Sequence, residues 1–150
     1  MNPRGKKLGE ILIEKRIINE TQLKIALDEQ KQSGEFLGKC LMAHGWATEE
    51  QVIQALSEQF GIPYIQIRPG DVQWEVAGQY PSAVFTEHHC FPIRQDTVSV
   101  TLAISDPLNA WVMSEIQTHA RGRAVKLVLA VPSQIEKIID EYTRRIAGAK

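Results

Sequence analysis

Displacing the chain on itself by 29 residues lays Lys7–Gln30 over Phe36–Gln59, and nine of those 24 positions are identical. The identical pairs are Leu8/Leu37, Gly9/Gly38, Leu12/Leu41, Glu20/Glu49, Gln22/Gln51, Ala26/Ala55, Leu27/Leu56, Glu29/Glu58 and Gln30/Gln59. A unit this short cannot bury an apolar face alone, so the two copies must be packed in company. Each copy reads as a helix pair. Leu8, Ile11 and Leu12, and then Leu37, Cys40 and Leu41, recur at helical spacing. The second helix of each copy opens on a capping box, Asn19 to Gln22 and Thr48 to Gln51, which satisfies amides otherwise orphaned at a helix start. Ile18 with Leu23 has staple spacing, and Gly34 and Gly61 are placed to stop the second helices. The expectation is four short helices, packed as two similar hairpins.

After Pro63 the pattern changes. Tyr64–Ile67 reads as a strand, followed by short helical segments over 72–79 and 81–88. Strands are expected over 91–94 and 97–105, joined by a two-residue turn at Gln95-Asp96, and over 124–131. Helices are expected over 109–120 and from Pro132 to about Arg145. The fold class is therefore α+β. A four-helix subdomain of two tandem repeats (residues 7–30 and 36–59) fills 1–62, and a small α/β subdomain with a mixed or antiparallel sheet fills 63–150.

Lys plus Arg is 17 against 18 for Asp plus Glu, a net charge of −1, so no bulk positive field exists to hold a nucleic acid or a membrane surface. The apolar runs at 98–104 and 125–131 are too short to span a bilayer, and the start of the chain carries no apolar leader. Cys40 and Cys90 have no paired spacing and read as free thiols of a cytoplasmic protein. No phosphate-binding glycine loop of the nucleoside-triphosphatase kind is present. His88-His89-Cys90 lacks a second ligand cluster, so no metal site is expected, and no catalytic constellation is read anywhere. The chain is expected to bind rather than to catalyse.

Two loop-plus-helix units at fixed spacing suit a ligand with two equivalent halves. The Leu8-Gly9 and Leu37-Gly38 pairs open the first helices, where a missing Cβ lets a backbone come close. Gln30 and Gln59 offer donor and acceptor edges at the ends of the second helices. Leucines between them either lie against a flat ring or serve as ordinary helix-pair core.

With Leu-Gly, Leu-x-x-Ala-Leu and a terminal Gln repeated across a five-residue spacer, the chain resembles the MshEN domain. That domain is the N-terminal region of type II secretion and type IV pilus assembly ATPases. The resemblance runs from about Lys7 to Arg145, through F-G-I-P-Y at 60–64, F-P-I at 91–93 and Asp106-Pro107. It implies a regulatory, non-catalytic domain that binds cyclic di-GMP and couples it to a secretion, pilus or polysaccharide export machine. It also implies a protein partner, an assembly ATPase or an inner-membrane platform protein. Carried residue by residue, it assigns guanine packing to Leu8, Leu23, Leu27, Leu37, Val52 and Leu56. It assigns backbone approach to Gly9 and Gly38, and base or phosphate hydrogen bonds to Gln30 and Gln59.

The family opens each motif with arginine, where this chain has Lys7 and Phe36. Lysine keeps the charge without the planar fork, and phenylalanine can stack but carries no charge. Arg16 stands where the first motif often has glycine, which the second copy keeps as Gly45. The alternative reading is a docking module of the same fold without nucleotide, in which an exposed Phe36 beside Leu37 would anchor a protein partner.

Overall fold

The computed structural model of the chain describes residues 7–107 and 109–148. These fall into two compact units, one running to Ile62 and the other beginning at Pro63.

The first unit is built from α1 (Leu8–Glu14), α2 (Glu20–Ser33), α3 (Leu37–Ala43) and α4 (Glu49–Phe60). Both capping boxes form: Asn19 Oδ1 accepts from the Gln22 amide at 2.8 Å, and Thr48 Oγ1 accepts from the Gln51 amide at 3.1 Å. In return Gln22 and Gln51 each accept from the cap amide at 2.9 Å. The long helices stop on left-handed Gly34 and Gly61. The short helices end alike. The Ile17 amide reaches back to the Leu12 carbonyl and the Trp46 amide to the Leu41 carbonyl, closing each last turn around a left-handed residue. That residue is Arg16 (φ 61°) in the first copy and Gly45 (φ 74°) in the second.

The four helices are not two self-contained hairpins. The more extensive packing crosses between copies, α1 against α4 and α2 against α3. The short helices bury Leu8, Ile11 and Leu12 in α1, and Leu37 and Leu41 in α3, and helical spacing fixes which face is buried without fixing which helix covers it.

The second unit holds a three-stranded sheet in the order β1 (Cys90–Gln95), β2 (Ser99–Ile104), β3 (Ala124–Leu129). β1 and β2 run antiparallel with an irregularity between Pro92 and Arg94, and β2 and β3 run parallel. The sheet is thus mixed. Pro92 is tolerated because β1 is an edge strand. α5 (Ser82–His88) precedes the sheet, α6 (Ala110–His119) makes the β2-to-β3 crossover, and α7 (Pro132–Gly148) follows. Pro69–Asp71 and Trp74–Gln79 are 3-10 helices. α7 lays Ile135, Ile138 and Ile139 into the core and packs on β1, β2 and α5. Phe85 and Phe91, both fully buried, meet at 5.1 Å.

Two expectations are corrected here. Tyr64–Ile67 forms a single parallel bridge, Tyr64 to Leu129, and not a strand. β3 runs out at Leu129 and the chain turns into α7 at Pro132, so the Ile67 amide is taken by the Gln134 side chain instead of a strand carbonyl. The β1–β2 connection is also longer than two residues, since Thr97 and Val98 lie outside β2 and belong to the turn. Asp96 organises it, its Oδ1 accepting from the Val98 and Ser99 amides at 2.8 and 2.7 Å.

Candidate functional site

The sequence places twelve candidate residues on the four helices of the first unit. Lys7 and Phe36 are the residues immediately before α1 and α3, in extended backbone. Lys7 is exposed, whereas Phe36 is half-buried. A Cβ built on Gly38 would stand 2.7 Å from Phe36 Cε2 and 2.6 Å from Val52 Cγ1. The ring therefore folds back over the glycine and does not project as a protein-docking anchor. At Gly9 the same construction meets Leu23 Cδ1 at 2.6 Å. In both copies the glycine of the short helix lies against a side chain from the first turn of its own long helix.

The apolar candidates divide unevenly. Leu8 and Leu37 are buried in both copies. Along the long helices, spacing of four and then three residues puts Leu23, Leu27 and Gln30 on one line of α2, and Val52, Leu56 and Gln59 on the same line of α4. On α2 that line is open: Leu23 is half-buried and Leu27 is 38% exposed. On α4 it is closed, with Val52 at 3% and Leu56 at 2%. Gln30 and Gln59 are both half-exposed, and among the described residues neither side-chain amide makes a hydrogen bond.

A feature missed at the sequence level ties the copies together. Lys15 Nζ lies 3.1 Å from Glu58 Oε2, and His44 Nε2 lies 2.6 Å from Glu29 Oε1. Lys15 and His44 are equivalent under the 29-residue shift, as are Glu29 and Glu58. The two contacts are therefore one contact made reciprocally, each joining the end of a short helix to the long helix of the other copy. The signal was present, because Glu29/Glu58 is one of the nine identities and Lys15/His44 keeps a basic type. The His44 ring also stacks on Trp46 at 4.0 Å, nearly parallel. Each acidic residue directly precedes a candidate glutamine.

A groove of about 530 Å³ on this unit is lined by Glu29, Glu35, Lys39, Cys40 and His44 among others and contains none of the twelve candidates. Its mixed charges do not single out an anion. In the second unit, burial pushes the Cys90 thiol up to about 12, so it stays protonated and unreactive. His88 contacts Asn109 at 3.0 Å, His89 turns left-handed and meets Glu136 at 3.0 Å, and Cys90 is buried, so that run points three ways. Among the described residues no group of three or more metal-ligating side chains comes together, and no helix is long and apolar enough to cross a membrane.

The family model of the MshEN domain matches residues 60–149, the second unit and the end of α4. The chain is 28% identical over 136 residues to the type IV pilus assembly ATPase PilB of Myxococcus xanthus (strain DK1622), covering 91% of this chain and 24% of that protein. It is 28% identical over 141 residues to the bacteriophage adsorption protein B of Escherichia coli (strain K12), covering 94% and 19%. The chain thus spans about a quarter or less of the curated relatives it matches. Among solved structures, MshE with cdg (cyclic di-GMP) superposes with a TM-score of 0.79 at 26% identity, covering 91% of this chain and 99% of that one. The N-terminal domain of XpsE shares the fold, with a TM-score of 0.69 at 24% identity over 89% of this chain and 91% of that one. The MshE likeness covers too much of the chain to omit the repeat, which lies outside the family-model match.

Proposed function

The chain belongs to the MshEN domain family, and from that premise we propose that its helical unit binds cyclic di-GMP. The domain does no chemistry of its own. It acts as a regulatory module, passing occupancy to a secretion, pilus or polysaccharide export machine through an assembly ATPase or an inner-membrane platform protein. Its place is the cytoplasm, a reading supported by two cysteines that remain free thiols.

The single observation that carries this reading is the likeness to MshE, a structure solved with the nucleotide, over nine-tenths of the chain. The residues supply the chemistry. Lys7 offers a cation to a phosphate, Leu23 and Leu27 offer an apolar stripe to a purine face, and Gln30 offers an unpaired amide to a base edge. Coupling to a machine follows only where the ligand binds one arrangement of the larger assembly more tightly than another.

Calorimetric titration of the purified chain with cyclic di-GMP tests the reading, with GTP and cyclic di-AMP as controls. The expected result is a saturable isotherm for cyclic di-GMP and a flat trace for cyclic di-AMP, with GTP reporting how far a single guanine nucleotide is accepted. A flat trace at millimolar ligand overturns the receptor reading and leaves the fold as a protein-docking module.

A further inference from the structure

The two copies are alike in sequence but not in accessibility, and we infer that the nucleotide contact is one-sided. The first copy supplies a half-site for a single guanylate unit, and the equivalent residues of the second copy have become core. The inference rests on the receptor reading and specifies which part of the ligand is recognised.

A planar base can stack only on surface it can reach. On α2 the stripe is reachable, with Leu27 38% exposed and Leu23 half-buried above Gln30. On α4 the same stripe is shut, with Leu56 at 2% and Val52 at 3% exposure. Gln59 remains half-exposed, but the two apolar side chains in line with it on α4 are buried and offer no face to a base. The residues before the short helices diverge in the same sense. Lys7 is exposed and charged, whereas the Phe36 ring lies over Gly38, occupying the approach that a ligand backbone would need. Cation, apolar stripe and free amide are thus all accessible in the first copy, and in the second only the amide is. A ligand with two equal halves is then held by one of them.

The test is calorimetry on the full chain with cyclic di-GMP, with GMP as the isolated half-ligand, and with Leu27→Ala, Gln30→Ala and Gln59→Ala variants. GMP is expected to bind within about 10-fold of cyclic di-GMP. Gln30→Ala is expected to weaken binding about 3- to 10-fold, the loss of one hydrogen bond. Leu27→Ala is expected to weaken it by a similar or larger factor, the loss of one stacking surface. Gln59→Ala is expected to stay within about 2-fold. Thermal melting separates contact from fold: Leu27→Ala leaves the midpoint unchanged, whereas Leu56→Ala lowers it by several degrees. If Gln59→Ala weakens binding as much as Gln30→Ala does, the contact is two-sided; the half-site is overturned while the receptor reading stands. A wild-type chain that binds neither nucleotide overturns both.

Discussion

Arg16 and Gly45 occupy the same turn of the repeat and both lie in the left-handed region, at φ 61° and 74°. Only glycine adopts that conformation without a steric penalty, so the arginine of the first copy is strained where its counterpart is not. Arg16→Gly is expected to stabilise the helical unit by about 1 kcal/mol, the relieved strain outweighing the greater freedom of glycine in the unfolded chain. Urea denaturation followed by circular dichroism reads this directly, and a lowered midpoint would refute it. The repeat glycines make a second contrast. The Cβ of an alanine at position 38 would press on Val52, which is β-branched and buried, and on the Phe36 ring. At position 9 it would press on Leu23, which is half-exposed and able to turn away. Gly38→Ala is therefore expected to destabilise by about 1–2 kcal/mol, overpacking outweighing the gain in helix propensity, and Gly9→Ala by less than about 1 kcal/mol. Equal effects in the same denaturation experiment would count against this account of the close approaches.

Helix pairing shows where sequence reading stops. Capping boxes, helix ends and the α+β order were all legible, because each is written in residues within four positions of one another. Which helix packs on which was not, because periodicity names a buried face without naming its partner. The reciprocal pairs Lys15–Glu58 and Glu29–His44 settle that the copies interlock. Both pairs are substantially exposed, so their contribution is small. A double-mutant cycle on Lys15 and Glu58 is expected to give a coupling of about 0.2–1 kcal/mol that shrinks in high salt, with the Lys15→Glu, Glu58→Lys double variant recovering most of what either single change loses. Tyr64–Ile67 failed as a strand for a similar reason, its would-be partner ending at Leu129, a fact held some sixty residues away. In the β1–β2 turn, backbone hydrogen bonds from Val98 and Ser99 hold the Asp96 carboxyl below its ordinary range. A depressed carboxyl stabilises the fold above its unfolded value near pH 4 and loses that contribution as pH falls through the lower folded value. Asp96→Asn is thus expected to be less stable than wild type at neutral pH, with the difference closing as pH approaches 2. A gap that persists unchanged to pH 2 would assign the effect to the turn geometry alone.

For the molecule as a whole, the residues proposed to contact a ligand and the residues matched by the family model lie almost wholly in different units. Every candidate contact lies between Lys7 and Gln59, whereas the family model matches residues 60–149. The candidate residues were legible because they repeat, but their exposure was not, since a leucine on a helical stripe has the same spacing whether it faces solvent or core. Ligand binding should therefore be felt unevenly along the chain. A ligand that binds only the folded state stabilises the structure it touches by about 2.7 kcal/mol at one hundred times its dissociation constant, a factor of about 100 in the opening equilibrium. Hydrogen exchange resolves that by segment. With cyclic di-GMP at that excess, the slowest amides of α2 and α4 are expected to slow by up to about 100-fold. Those of β2, the central strand of the second unit, should change little. Equal slowing in β2 would mean that the two units open in one cooperative step, so that occupancy of the helices is already transmitted to the sheet. No change in either segment would remove the ligand from the helical unit altogether.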